Sequence, residues 1–598
     1  MAEETKKAAG KQTDEPSSTS PMDAYDTTEP ESHAGAPARA GTVLPPAPSH
    51  KRGWWQRLGD RIGRHRKSVG LVVLVVALAA LGGVPWTRYK LAGLALKQSV
   101  QVTVLDTQTH QAVPSANVTL AGKHITTDNH GMARLRVRVG TASLAISKNY
   151  YRSHSSHVLV PILRQKQPFT VSLQATGRQV SVSVTNKISG QPVANATIAA
   201  AGTQTKTDNA GRAVIVLPAD HATVAATVTA SGYNSTSSTI QVASQAGKPN
   251  TVALTPAGTV YFLSNAAGTL DVVKTNLDGT NRHVVLAGTG NEQPHDTSLL
   301  ASRDWKYLAL KAVRDPGGTA KLYVINAATD KVTAFDEGQA DFTLVGWYNH
   351  AFLYGVARTN TQLWEPGRQA LKSYNAETGQ LSQLDQTQAE GDQTSGAFQT
   401  LGNYYILPGQ LFYTVGWEYI GNTAHLAGKT ASLRTVSLTN QTKKDVKTFD
   451  AQTTSIISAR ASEPTSVYVV VYNNSGQPSY YEYEDGAVKT ASLTADSFTQ
   501  AYPTYLLSPG SASTFWSELR DGKNTLFVGD KAGKNAKQIA SLSDYQPYGW
   551  FSDQYVLVSK GGSELYIMPV SGGTALKIAD YYKPAAPLYG YGYGYGGL

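Results

Sequence analysis

Residues 270–285 read LDVVKTNLDGTNRHVV: a short apolar run, a polar Leu-Asp-Gly-Thr-Asn turn, and a second short run. Asp-Gly and neighbouring Asn tolerate positive φ, so the stretch predicts a hairpin. Six later stretches share the plan. They are AKLYVINAATDKVTAF (320–335), QALKSYNAETGQLSQL (369–384), ASLRTVSLTNQTKKDV (431–446), SYYEYEDGAVKTASL (479–493), NTLFVGDKAGKNAKQI (524–539) and SELYIMPVSGGTALKI (563–578). Their starts fall roughly 40–60 residues apart, the spacing of units with four strands each.

A second hairpin precedes most of these. The first such segment, SRDWKYLALKA (302–312), opens on Ser-Arg-Asp-Trp-Lys. This resembles the Ser-Pro-Asp-Gly-Lys turn of the WD40-like repeats in the TolB propeller family, and Ser508-Pro509 and Ser552-Asp553 carry eroded forms. The resemblance implies a β-propeller over 258–582, with six or seven blades. Seven hairpin units, the first lacking a preceding pair, favour seven blades with a short first one. The recurring Trp305, Trp347, Trp364, Trp417, Trp516 and Trp550 read mainly as blade packing.

Upstream lies an internal repeat. QVTVLDTQTHQAVPSANVTLAGKHITTDNHGMARLRVRVG (101–140) aligns with QVSVSVTNKISGQPVANATIAAAGTQTKTDNAGRAVIVLPAD (179–220). Ala116-Asn117 matches Ala194-Asn195, and Asp128-Asn129-His130-Gly131 matches Asp208-Asn209-Ala210-Gly211. Polar and apolar residues alternate in both, the period of half-buried strands. With Ser-Gly-Tyr at 231–233, the pattern resembles the carboxypeptidase regulatory-like domains. That likeness implies two seven-stranded, prealbumin-like sandwiches, 100–176 and 177–257, with spacer or binding roles and no catalysis. Asp128 and Asp208 read as turn formers, since one acid per turn falls far short of a cation's ligand set.

Residues 1–50 carry seven prolines, eight acids and four bases, and predict a disordered tail. A basic segment follows over 51–68, with seven Lys or Arg against Asp60 alone. Val69 to Trp86 then runs 18 residues without a charge. This predicts one N-terminal transmembrane helix over 69–86, with Trp54, Trp55 and Trp86 at the membrane interface. The basic block holds the N-terminus in the cytoplasm, so the remainder is extracellular: a single-pass cell-membrane protein of a bacterial envelope. The expected fold is thus an all-β ectodomain, two β-sandwich modules plus a propeller, behind one membrane helix. The final segment, 583–598, is Gly/Tyr-rich and predicts a flexible end or a sticky aromatic tail.

Composition narrows the chemistry. None of the 598 residues is Cys, which removes disulfides, thiol nucleophiles and Cys-based metal sites together. No nucleophile elbow, zinc-binding His pair or phosphate loop occurs, and the Gly592–Gly597 match to a dinucleotide motif has no helix after it. The expectation is no enzyme, no cofactor, no metal and no catalytic residue. The net charge of +10 is unevenly spread. Residues 87–175 hold eleven Lys or Arg against Asp106 and Asp128, whereas 176–598 are nearly neutral. Arg134, Arg136 and Arg138 occupy alternate positions of one strand and project from one face. With Lys148 and Arg152 they form a candidate contact for anionic lipid headgroups or a wall polymer; the other reading is a solvated face that discourages edge pairing. Nucleic acid is not expected, because no aromatics are interleaved for stacking. The propeller is expected to bind an unidentified protein or glycan. The alternatives are an envelope scaffold and, behind it, a propeller enzyme acting on wall carbohydrate.

Overall fold

The computed structural model describes residues 76, 89, 93, 96–243, 248–388, 396–463, 465–495, 506–541 and 545–583. The chain divides into two units, Met1–Arg88 and Tyr89–Leu598, and all described strands belong to the second. The expected disordered tail, basic segment, membrane helix and Trp54, Trp55 and Trp86 fall outside the described residues, as does nearly all of the Gly/Tyr tail. Among the described residues no helix is long and apolar enough to cross a membrane.

Seven strands form the first module: β1 (Lys97–Asp106), β2 (Asn117–Leu120), β3 (Lys123–Thr126), β4 (Met132–Arg138), β5 (Gly140–Ser147), β6 (His154–Val160) and β7 (Phe169–Leu173). They make two sheets, β4-β1-β7 and β3-β2-β5-β6, closed on one core that includes Val100, Val102, Leu120, Leu144 and Ile146. Alternation decides which side is buried: Ala133, Leu135 and Val137 point into that core, so Arg134, Arg136 and Arg138 point out. The second module repeats the topology. Its strands are β8 (Arg178–Asn186), β9 (Thr197–Ala200), β10 (Thr203–Lys206), β11 (Arg212–Leu217), β12 (Thr223–Thr229), β13 (Thr236–Gln241) and β14 (Asn250–Leu254), in sheets β11-β8-β14 and β10-β9-β12-β13.

The repeated Asp-Asn-x-Gly turn has one construction in both modules. Asp128 Oδ1 accepts from the amides of His130 and Met132, and Asp208 Oδ1 accepts from those of Ala210 and Arg212. Gly131 and Gly211 have φ near +70°, and a Cβ on either would stand 2.5 Å from the carbonyl oxygen of Val104 or Val184. Glycine is required there by both conformation and space.

Seven further sheets follow, here called blades 1 to 7. Blade 1 has three strands: β15 (Thr259–Ser264), β16 (Asp271–Asn276) and β17 (His283–Leu286). The others have four. Blade 2 is β18 (Ser298–Ala301), β19 (Tyr307–Ala312), β20 (Lys321–Asn326) and β21 (Lys331–Asp336). Blade 3 is β22 (Ala340–Tyr348), β23 (Ala351–Arg358), β24 (Gln369–Asn375) and β25 (Leu381–Gln386). Blade 4 is β26 (Ala397–Leu407), β27 (Gln410–Tyr419), β28 (Thr430–Ser437) and β29 (Lys443–Asp450). Blade 5 is β30 (Thr454–Glu463), β31 (Ser466–Asn473), β32 (Pro478–Glu484) and β33 (Ala487–Thr490). Blade 6 is β34 (Leu506–Leu507), β35 (Ser513–Arg520), β36 (Lys523–Asp530) and β37 (Lys537–Ser541). Blade 7 is β38 (Tyr545–Ser552), β39 (Tyr555–Lys560), β40 (Glu564–Pro569) and β41 (Leu576–Asp580).

Each is an antiparallel meander packed on a neighbour through a mixed apolar cluster. Tyr261 meets Leu308 between blades 1 and 2, Val324 meets Phe352 between 2 and 3, and Leu371 meets Leu411 between 3 and 4. Phe412 meets Val467 between 4 and 5, and Leu526 meets Val556 between 6 and 7. Blade 7 returns to blade 1 through Leu557 and Phe262, so the last sheet packs on the first. This radial order is a β-propeller.

Candidate functional site

The outer face of β4-β1-β7 gathers three of the five cations that the sequence singles out, Arg134, Arg136 and Arg138. Cross-strand register sets Arg138 opposite Lys97, Arg136 opposite Ser99 and Arg134 opposite Gln101, and all three arginines are exposed. Lys123 joins them from the neighbouring sheet, its Nζ donating to the Arg136 carbonyl at 2.6 Å. Neither nearby acid answers this charge. Asp128 is occupied by its own turn, and Asp106 is buried, accepting from the amides of Gln108 and Thr109 and from Gln179 Nε2. Burial acts to raise the Asp106 pKa, but those hydrogen bonds outweigh it and hold the carboxyl below its ordinary value.

Lys148 and Arg152 lie elsewhere. Lys148 sits at the junction of the two sandwiches, where Nζ donates to the carbonyls of Pro114 (2.7 Å) and Gln204 (3.2 Å). Burial pushes this ammonium down to about 8. Beside it Asn149 Nδ2 donates to the Gly202 carbonyl and Tyr150 Oη to that of Ala201. Lys148 therefore joins modules and is not brought together with the arginine strip. Arg152 is exposed, with its amide bonded to the Gln174 carbonyl, and it too lies off β4.

The second arrangement lies on the propeller. Successive turns of a meander alternate between its two ends, so first-to-second and third-to-fourth strand turns share one rim. The second sandwich is fastened to this rim. Asn186 Nδ2 donates to Tyr555 Oη at 2.7 Å, Lys187 pairs with Asp278 at 2.7 Å, and Ile188 enters the blade 1–blade 7 cluster. Blade 1 lacks the innermost strand that the other blades have, and Trp305 spans the gap. Its Nε1 donates to the Trp550 carbonyl at 2.7 Å, and its ring lies 6.1 Å from Phe551. Trp305 holds φ at +58°, a conformation costing a non-glycine residue roughly 1–2 kcal/mol. Beside it Gly258, at φ +140°, leaves no room for a side chain, since a Cβ would stand 2.2 Å from the Phe551 ring. A recess of about 340 Å³ opens here, lined among others by Trp305, Tyr307, Phe551, Asp304 and Asn326.

The polar groups of this rim are largely engaged. Asp304 accepts from Ser302 Oγ, pairs with His350 Nε2 at 2.9 Å and with Lys306 at 3.1 Å. Burial opposes ionisation, but these partners win and draw its pKa down to about 2. The same contact with Asp304, aided by Glu377, raises His350. Among the described residues no group of three His, Asp or Glu is arranged to hold a metal ion.

Residues that sequence reasoning did not single out hold neighbouring blades together. Asp385, at the end of blade 3, accepts from Tyr413 Oη (2.6 Å), Arg434 Nη1 (2.9 Å) and Lys443 Nζ (2.6 Å) of blade 4. Asp336 of blade 2 repeats the device with Tyr354 and Lys372 of blade 3. An Asp at or next to the end of the fourth strand recurs in blades 2, 3, 4 and 7, a partial signal that does not say which blade the side chain faces.

No protein-family model matches the chain, and no curated protein matches it. Among solved structures it is similar to the β-propeller domain of the trilobed protease from Pyrococcus furiosus. Identity is 12%, covering 55% of this chain and 94% of that one, with a TM-score of 0.35. It is also similar to the acylaminoacyl peptidase of Pyrococcus horikoshii: 12% identity, 60% of this chain and 51% of that one, TM-score 0.31. The alignment thus spans about half of that peptidase. TolB from Acinetobacter baumannii matches at 12% identity over 52% of this chain and 77% of that one, TM-score 0.25. At such scores the fold rests on the strand order and inter-blade packing described above.

Proposed function

We propose that the chain is a non-catalytic, membrane-anchored envelope protein of a bacterium whose first sandwich docks on a phosphate-bearing polyanion and whose propeller is a recognition element. The observation that carries this reading is the uncompensated strip Lys97, Arg134, Arg136 and Arg138 on one sheet face. Arginines on alternate residues of a strand stand roughly 7 Å apart, a spacing that lets a flexible polyanion meet them one group at a time. The uncharged run Val69–Trp86 behind seven basic residues supports a membrane anchor ahead of this module in the sequence. The resemblance of the two sandwiches to carboxypeptidase regulatory-like domains supports a spacer role.

The test is a titration of the full chain, held in zwitterionic nanodiscs, with linear polyphosphate at about 20 mM salt. Binding by the wild type and at least tenfold weaker binding by R134Q/R136Q/R138Q is the expected outcome. Equal binding by both, or by neither, contradicts it. A parallel arm with anionic vesicles distinguishes lipid headgroups from a soluble polymer as the source of phosphate. A second reading, an envelope scaffold, draws on the junction made by Asn186, Lys187 and Ile188, which ties sandwich to propeller. It predicts normal envelope assembly with the triple variant and failed assembly when that junction is broken.

A further inference from the structure

One cation of the propeller rim has no acid to answer it. Arg303, in the turn between β18 and β19, reaches across from blade 2 to blade 6, where its Nη1 lies 3.4 Å from Ser511 Oγ. Tyr348, at the end of the first strand of blade 3, is near enough to act on its charge. Among the described residues no carboxylate lies within ion-pair distance of this guanidinium. Asp304, next to it in the same turn, is taken by Ser302, His350 and Lys306, and Asp553 of blade 7 accepts from the amide of Gly510. Arg303 is half-buried and the surrounding protein acts against its charge, so a guanidinium with no carboxylate partner among the described residues is held at some cost. Groups held at such a cost are commonly ones a ligand completes.

We propose that Arg303 is the anchor of a ligand site that receives a peptide carboxylate at the propeller rim, with the Ser511 and Tyr348 hydroxyls as flanking donors. The inference rests on the propeller being the recognition element and adds the chemistry of what it recognises. A guanidinium offers two parallel donors that match the two oxygens of one carboxylate. The other cation of its turn, Lys306, is paired with Asp304 at 3.1 Å. Two of the turn amides are engaged, Trp305 N with the Ser302 carbonyl and Ser511 N with that of Ser508. The recess opened by the same turn suits an apolar side chain. Its walls include Trp305, Tyr307 and Phe551, and two of its polar groups are engaged, Asn326 Oδ1 by the Ala328 amide and Asp304 as above.

The test uses saturation-transfer NMR on the full chain with three probes: N-acetyl-leucine, its amide, and N-acetyl-glutamic acid α-amide. Binding of N-acetyl-leucine with loss of signal for its amide supports a chain-end carboxylate. Binding of the glutamic acid amide alone supports a side-chain carboxylate. R303Q should weaken the bound probe at least tenfold, and R303K, which keeps the charge but loses the fork, severalfold. Absence of binding by both carboxylate probes, or R303Q equal to wild type, overturns the proposal. Polyphosphate binding through the sandwich strip is read on the same samples. Its survival in R303Q separates failure of this site from failure of the proposed function, and an unchanged unfolding midpoint of the propeller shows that the variant is folded.

Discussion

Asp385 shows what one side chain does for the ring. Its carboxylate is fully buried and takes a phenol, a guanidinium and an ammonium, all from the next blade. Burial pushes its pKa up, and Lys443, Tyr413 and Arg434 together push it further down, so the folded value lies below the ordinary one. A depressed carboxylate stabilises the fold above its unfolded pKa of about 3.9 and loses that contribution as pH falls through the folded value. D385N leaves two cations facing an amide. It should cost about 3 kcal/mol at pH 7, the lower end for breaking a buried pair, because Lys443 keeps some access to water. Denaturant unfolding should show the gap at pH 7 and convergence of the two proteins in strong acid; a pH-independent gap would mean that lost packing, not charge, is responsible. None of this was readable beforehand. Arg434 and Lys443 lie 49 and 58 residues from Asp385, and no local pattern announces which blade an Asp faces. Arg303 is a similar case: its turn, Ser-Arg-Asp-Trp-Lys, was legible as a turn, but its reach to Ser511, 208 residues on, was not.

Elements were far more legible than their contacts. The Asp-Gly and Asp-Asn-x-Gly turns located hairpins because φ and space leave few residues that fit, as Gly131 and Gly211 show. Alternation put Arg134, Arg136 and Arg138 on one face because the strand period is two and Ala133, Leu135 and Val137 need the other. Grouping Lys148 with that strip was where the reading by charge failed. A net charge per module does not say which loop abuts the next module, and Lys148 lies on the loop that does. Its folded pKa of about 8 sits below the unfolded value of about 10.4. Between those values the unfolded chain binds more protons, so stability rises with pH across that window. The unfolding midpoint of the sandwich transition should climb from pH 8 to 10 in the wild type and stay flat in K148M. Parallel profiles would show that Lys148 keeps its charge at no cost.

At the scale of the whole molecule, charge is segregated. The excess outside the N-terminal segment sits in residues 87–175, while the propeller and second sandwich are nearly neutral. A nearly neutral propeller fastened to the rim-side sandwich leaves the first sandwich as the one strongly cationic body, which is why docking is assigned there and recognition to the propeller. If docking is by charge, it must release counterions, and its strength must track salt with a slope set by the number of cations engaged. The most direct measurement is therefore log Kd for polyphosphate against log salt concentration, for wild type and R134Q/R136Q/R138Q. With four cations engaged, the wild-type slope for log affinity should be about −3, taking roughly −0.7 per contact, and the triple variant should fall to about −1 or lose binding. A wild-type affinity independent of salt, or an unchanged slope in the variant, would contradict the account.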